Sequence, residues 1–478
     1  MLEDGIAQLF FTDIFALRES TMVDGTRFAL SAAVITAAES AGLVDDMPFI
    51  LSDDGVYQHD LNRFFRACPT MGVRSLNSLR AYARDILVWM RFLEERRGGK
   101  TVWQAERDDV IAFHHARRLA KAPYRISASS WNRALAALDK LYRWGLEEGL
   151  IKVSPFSYGI LLRRAGGRGI PQVVEANRAR ERAARSHNMR FADLGRYLAF
   201  RDVGLRGRLP DGAEDPSWRG RNGERNALFA ELLVTTGMRL SEAGSLFLAE
   251  LPSIDGKGPR ALPFDLPGAI TKGERSRRIR LPRRVLKLIT GYVDLDRRIA
   301  AGRATVTVAD PLWLAPDGRS ATDPHGNRAP LSRIGVRDRQ RVLHASSGRA
   351  EHALLWLTEG GKPVPSATWE VAFRRASLRC QHFGIDVVVT PHMLRHTFAI
   401  NMLSMLIRAQ IGTVFSPGDS HGAAYRHILG DPLQKLQHLL GHASITSTYI
   451  YLDSLAEAQE LVDAAADRWD TDLAEDHP

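Results

Sequence analysis

The sequence predicts an α+β protein in which helices dominate, and three observations carry that class. Residues 75–147 hold long runs with apolar side chains at helical spacing. The second half adds strand–turn–strand signals among its helices, "GAITKGERSRRIRLP" at 268–282 and "ALLWLTEGGKP" at 353–363. Between the halves, residues 161–190 are rich in Arg and broken by Gly and Pro, and read as a junction between two folded parts.

Four segments follow. Residues 1–62 form an N-terminal region of unknown role: "RFALSAAVITAAESAGLV" reads as a helix, and "FILSDDGVYQHDLNRFFR" as a short strand, a turn at Asp53–Gly55 and a helix. Residues 63–160 are expected to be a helical domain. "SLNSLRAYARDILVWMRFLEERRGG" places Leu79, Ile86, Met90 and Leu93 on one face and stops at Gly98–Gly99. "RDDVIAFHHARRLA" is a second helix. "SASSWNRALAALDKLYRWGLEEG" is a third, opened by serines and closed at Gly149. Arg80, Arg84, Arg91, Arg133 and Arg143 on these helices suggest a basic face. Residues 161–190 are the basic linker, and 191–478 a mixed domain with an acidic C-terminal tail. In that domain helices are expected at 224–236, ending at Gly237, at 366–379, from Pro391 onward, and at 432–440, closing at Gly441. Two stretches, 297–350 and 408–430, read as surface excursions inserted among them.

Charge points to a polyanion. The formal net charge is +10, unevenly spread. Residues 1–60 hold eleven Asp/Glu against two Arg, residues 61–160 eighteen Lys/Arg against nine acids, and residues 161–190 eight Arg against two Glu. The last 26 residues hold nine acids and Arg468. Basic middle segments between acidic ends suit nucleic acid. Only Cys68 and Cys380 are present, too few for a disulfide scaffold or a thiolate zinc site, and in keeping with a reducing cytoplasm. No secretory signal and no membrane span are expected, since Asp4 follows Glu3 and the longest weakly polar stretch is broken by Glu39.

The residues able to carry chemistry are Arg239 after a helix-ending glycine, Lys272 in a hairpin turn, His392, Arg395 and His396 on one helix, His442 after Gly441, and Tyr449 and Tyr451. Cations and histidines without a carboxylate cluster suit a phosphodiester. Arginines fork onto its non-bridging oxygens, tyrosine attacks phosphorus, and lysine protonates a departing oxygen. His392 and Arg395 lie about 60° apart on a helix and can face one site. Glu242 stands in the same relation to Arg239 and can orient it. His442 and Tyr451 meet only if the chain breaks between them, and "ASITST" supplies capping hydroxyls for a break at Ser444, Thr446 or Ser447. Tyr449 and Tyr451 are about 200° apart, so one alone can reach a phosphate; helix geometry does not say which. His392 and His396 also have the i,i+4 spacing of helical metal ligands, but no Glu or acidic third ligand accompanies them, so no metal or other cofactor is expected.

In order and in local context these residues resemble the tyrosine recombinases, or phage integrases. "TTGMRLSEAGSL" looks like the family's first arginine box, "TKGERSRRIRLP" its lysine hairpin, "PHMLRHTFA" its His-x-x-Arg-His box, and "LLGHASITSTYIYL" its Leu-Gly-His box followed by the nucleophile. The resemblance implies a helical core-binding domain and a catalytic domain whose site residues are Arg239, Lys272, His392, Arg395, His442 and Tyr451. It also implies double-stranded DNA as partner, a tetramer on DNA, metal- and ATP-free strand exchange through a 3′-phosphotyrosyl intermediate on Tyr451, and a cytoplasmic, nucleoid-associated enzyme. The length between the last two boxes exceeds the family's usual spacing, and the wording "DPLQKLQHLLGH" is closer to transposon-borne members. A type IB topoisomerase-like relaxase shares this chemistry. A catalytically silent DNA-binding regulator shares the scaffold but has no need of all six residues.

Overall fold

In the computed structural model the chain divides after Arg185 into two compact units. The structure describes residues 7–452 and 455, apart from 15–20, 24–25, 29–30, 42, 74, 165–170, 183–190, 255–257, 305, 307, 309, 347 and 415–430.

The first unit starts with β1 (Gln8–Phe11), the small ribbon β2 (Thr21–Val23) and β3 (Thr26–Phe28), and α1 (Ala32–Ser40). β4 (Pro48–Leu51) pairs antiparallel with β1, Gln8 opposite Leu51, and leads through a turn into α2 (His59–Ala67). Three helices make the body: α3 (Leu76–Arg96), α4 (Arg107–His114) and α5 (Ala128–Glu147). The Ser127 hydroxyl caps α5 by accepting from the Ser130 amide at 3.1 Å. The apolar stripes of these helices meet around Trp89, Phe113, Trp131 and Tyr142. Polar groups there are satisfied: Trp89 Nε1 donates to the Tyr142 hydroxyl at 2.8 Å, which donates to the Val102 carbonyl at 2.7 Å. The arginines of the expected basic face are mostly engaged within the unit. Arg133 forks onto Asp85, Arg80 pairs with Asp46, Arg143 with Asp139 and Glu175, and Arg91 donates to the Ala7 carbonyl.

Residues 161–177 are not an open linker. β5 (Tyr158–Arg164) and β6 (Pro171–Asn177) form a seven-pair antiparallel hairpin, after which the Ala179 and Glu181 carbonyls accept from Trp131 and Asn132 of α5. The Gly/Pro-rich arginine run hid this. "YGILL" and "QVVEA" on either side of it carry the β-branched and aliphatic residues that favour strands.

In the second unit, α6 (Leu194–Ala199) precedes the central α7 (Gly223–Thr236) and the short α8 (Leu240–Gly244). β7 (Ala261–Leu266) and β8 (Arg277–Pro282) pair in a hairpin, Leu266 opposite Arg277. The outgoing strand is thus 261–266, and residues 268–270 form a 3₁₀ turn rather than a strand. α9 (Arg283–Tyr292) and α10 (Arg298–Arg303) follow. The stretch expected as a surface excursion then builds a five-stranded sheet: β9 (Leu312–Leu314), β10 (Ser320–Thr322), β11 (Arg328–Pro330), β12 (Val342–Ser346) and β13 (Arg349–His352), in the order β11-β10-β9-β12-β13. Its apolar cluster includes Phe247, Leu331, Val342 and Leu354. Its polar composition misled because Arg339 is fully buried, forking onto Glu250 at 2.6 Å and lying over the Phe247 ring.

α11 (Ser366–His382), α12 (Pro391–Val414), α13 (Pro432–Leu440) and the single turn α14 (Thr446–Tyr449) complete the unit. Aromatic rings meet within its largely aliphatic core. Phe229 of α7 stacks on Trp369 of α11 at 3.7 Å, and Trp356 meets both edge-on. The expected excursion at 408–430 falls largely outside the described residues; so does the acidic tail. Among the described residues, no helix is long and apolar enough to cross a membrane.

Candidate active site

Four chain segments of the second unit converge. The first is the end of α7. Gly237 takes a left-handed conformation (φ +66°), and a Cβ there would sit 2.3 Å from Phe398 of α12, so glycine is required on both counts. The chain turns at once into α8 with Arg239 as its N-cap. Trp356 anchors α8 from below by donating to the Ala243 carbonyl at 2.9 Å.

Glu242, with no exposed surface, organises the next layer. Its carboxylate accepts from the Arg239 backbone amide (2.7 Å), from Arg239 Nη1 (2.8 Å), and from both Nη atoms of Arg277 (2.9 and 2.6 Å). Arg277 opens β8 and also donates through Nε to the Leu439 carbonyl at 3.0 Å. One buried ion pair therefore fastens α8, the β-hairpin and the end of α13 together. Burial acts to raise the Glu242 carboxyl, but the hydrogen bond and charge of Arg277, then Arg239, outweigh it and hold the group below its ordinary value.

Arg395 lies across the same junction from α12. Its Nη1 donates to the Gly237 carbonyl at 2.5 Å and its Nη2 to the Leu440 carbonyl at 2.6 Å. It is buried, and burial followed by the charge of Arg239 brings it down to about 9, still protonated at neutral pH. α12 itself begins at Pro391, where the Thr390 hydroxyl caps it by accepting from the Met393 amide.

The last segment bends as its hydroxyls require. α13 ends at Gly441 (φ +65°), where a Cβ would lie 2.9 Å from Arg277 Cδ. The Ser444 hydroxyl accepts from the Thr446 amide and starts α14. The bend turns the His442 ring onto Tyr451, stacked at 6.1 Å, while His442 Nδ1 meets the Thr448 hydroxyl at 3.1 Å. Tyr451 is 1% exposed, and Tyr449, two residues earlier, is 48% exposed. The Tyr451 hydroxyl lies 3.1 Å from His396 Nδ1, and the His396 ring meets that of His392 edge-on at 4.3 Å.

The cluster is cationic and partly dry. His442 is brought down to about 4 by burial, then Arg395 and Arg239. His396 falls to about 4 through burial, then His392 and Arg395. His392, whose ring reaches solvent, is lowered by partial desolvation, then by Arg395 and Arg239. Burial raises Tyr451 more than Arg395 and Arg239 lower it. Such a site holds neutral histidines and a protonated phenol beside two guanidinium groups, and attracts an anion.

Of the six expected site residues, Arg239, His392, Arg395, His442 and Tyr451 come together. Lys272 does not join them: it is exposed on the turn between β7 and β8, with no hydrogen bond or ion pair among the described residues. Sequence reasoning passed over Arg277, one of four arginines in "RSRRIR" and the one the strand register turns inward. It placed His396 among the residues able to carry chemistry but gave it no role in the site. Among the described residues no third His, Cys, Asp or Glu joins the two histidines.

The chain is similar to known proteins in both units. The profile of the Phage integrase family matches residues 215–411, and that of the phage integrase N-terminal SAM-like domain matches residues 61–149, together more than half the chain. The first match ends before His442 and Tyr451. Among relatives, tyrosine recombinase XerC of Nitrobacter winogradskyi is 25% identical over 381 residues, spanning 79% of this chain and 83% of its own. Tyrosine recombinase XerD of Mycobacterium tuberculosis is 25% identical over 378 residues, spanning 78% and 86%. A solved complex of the XerH site-specific recombinase with palindromic difH substrate aligns at a TM-score of 0.46, with 17% identity over 85% of this chain and 84% of that one. The chain belongs to the phage integrase family, the tyrosine recombinases, whose members break and rejoin DNA strands. It is a site-specific recombinase of that family.

Proposed function

We propose that Tyr451 is the nucleophile with which this recombinase opens double-stranded DNA, forming a 3′-phosphotyrosyl bond. The supporting observation is the contrast between the two tyrosines. Tyr451 is buried against His396 and His442 beside Arg395, and Tyr449 faces solvent. In this reading Arg239, Arg395 and His442 hold the non-bridging oxygens of the scissile phosphate. Glu242 and Arg277 keep Arg239 aimed. Lys272, on its exposed turn, reaches the departing 5′-oxygen and donates a proton, while His392 assists proton transfer on the nucleophile's side. The phosphotyrosyl bond conserves the energy of the broken phosphodiester, so a partner strand's 5′-hydroxyl rejoins the DNA without ATP. Residues 63–160 contribute a helical DNA-binding domain, and two recombining duplexes call for a tetramer. The enzyme is placed on chromosomal DNA in the cytoplasm, with the family's transposon-borne members as its functional relatives.

A library of nicked duplexes of random sequence, incubated with the full chain, yields the target as the duplexes that become covalently attached. On the recovered duplex, wild type and Tyr449→Phe form a denaturant-resistant adduct and Tyr451→Phe does not. An adduct from Tyr451→Phe overturns the assignment.

A further inference from the structure

Among the described residues, His396 is the one hydrogen-bond partner of the Tyr451 hydroxyl, Nδ1 to Oη 3.1 Å. The other histidines are placed differently. His442 Nδ1 is engaged with Thr448, and its ring lies nearly parallel to that of Tyr451, at 12°. His392 is one helical turn before His396, and its ring contact is with His396. The three side chains thus form a line, Tyr451–His396–His392, running from the buried hydroxyl to a ring that reaches solvent.

We infer that His396 is the base that takes the phenolic proton when Tyr451 attacks, with the His392 ring packed edge-on against it; this rests on Tyr451 being the nucleophile. In the forward step the Tyr451 O–H bond breaks and its proton passes to the lone pair on His396 Nδ1. The freed electron pair forms the Oη–P bond, the P–O5′ bond breaks, and the 5′-oxygen takes a proton from Lys272. On rejoining, the incoming 5′-hydroxyl returns a proton to Lys272. The P–Oη bond breaks, and Tyr451 recovers its proton from His396. The geometry requires the His396 tautomer with hydrogen on Nε2, directed away from Tyr451.

The surroundings explain why the phenol stays protonated without DNA. His392 and Arg395 face His396 from its own helix, Tyr451 and His442 from the C-terminal segment, and Arg239 stands behind Arg395. Burial and this positive field disfavour a positive charge on His396. A phosphate docked on Arg239 and Arg395 cancels part of that field and stabilises the imidazolium as negative charge grows on the phosphoryl oxygens. Substrate therefore switches on the base beside the nucleophile.

The test measures single-turnover adduct formation by the full chain on the recovered nicked duplex, at saturating DNA, from pH 6 to 10. His396→Asn is the decisive variant, because its amide oxygen reaches the Nδ1 position and keeps the hydrogen bond but accepts no proton. The expected result is a rate about 10²–10⁴-fold below wild type near pH 7, the usual contribution of a general base. The logarithm of that rate rises with unit slope toward pH 10 as the phenolate forms unaided, where wild type levels off. His392→Asn loses less and keeps the wild-type profile. Wild-type rates from His396→Asn, or a deficit constant at every pH, overturn the inference and leave His396 a packing residue. His396→Gln, which places its amide nearer Nε2, is run in parallel, and a gel shift on the same duplex reports folding. An adduct from Tyr451→Phe instead sinks the nucleophile assignment itself, so the two failures are distinct.

Discussion

Replacing Glu242 with Gln keeps the shape of the central carboxylate and removes its charge. The structure sets the size of the effect. Glu242 is fully buried and the Arg277 side chain is 6% exposed, so this pair is not screened as a surface pair is. Arg239, at 25% exposed, contributes less. Breaking a buried ion pair on one side costs about 3–5 kcal/mol, since the remaining guanidinium stays buried without a counter-charge. At about 2–4 °C per kcal/mol for a domain of this size, the melting temperature falls by on the order of 10 °C. The pH dependence has a definite sign. The folded-state value of Glu242 is depressed, so its contribution is complete above its ordinary value of 4.5 and is lost as pH falls through the lowered folded value. The gap between wild type and Glu242→Gln in calorimetric melts is therefore widest near pH 7 and closes under strong acid. Adduct formation falls as well, because Arg239 loses the group that aims it. A melting point within about 2 °C of wild type at pH 7, or a gap unchanged by acid, refutes the claim that this ion pair holds the site together.

Three further outcomes follow from the same geometry. Lys272→Ala slows cleavage of an ordinary duplex by about 10²-fold or more, and a 5′-bridging sulfur restores the rate because a thiolate leaves without a proton; a duplex equally slow with sulfur removes Lys272 from that role. Gly441→Ala forces a β-carbon to 2.9 Å from Arg277 Cδ at a left-handed φ, destabilising the protein by about 1–3 kcal/mol in a denaturant melt and lowering adduct yield by displacing Arg277 and His442. His396 and His442 are neutral in the folded state with values near 4, so the unfolded chain binds more protons between pH 6.5 and 4. Their contribution is full above pH 6.5 and declines below it, and His396→Asn flattens that decline in melts across the range.

What could be read in advance and what could not divides along a physical line. The helices of both units were legible because each carries its own signals, such as the apolar stripe and the serine cap of 127–147, or the glycines that end α7 and α13. The break before Tyr451 was legible for the same reason, since Ser444 acts within three residues of the bend it makes. The β5–β6 hairpin and the sheet at 312–352 were missed because short strands are stabilised by partners across the ladder, and their arginine-rich composition argued for solvent. Arg339 shows the error most plainly, fully buried in a stretch that composition places at the surface. The candidate site repeats the pattern. Arg239, Arg395, His442 and Tyr451 stand in short contexts that name them. Arg277 has no such context: its value lies in bonds to Glu242, 35 residues back, and to Leu439, 162 residues on. A residue that joins distant segments leaves its mark in the contacts it makes, so the candidate residues of this site could be named from the sequence before its scaffolding could be seen.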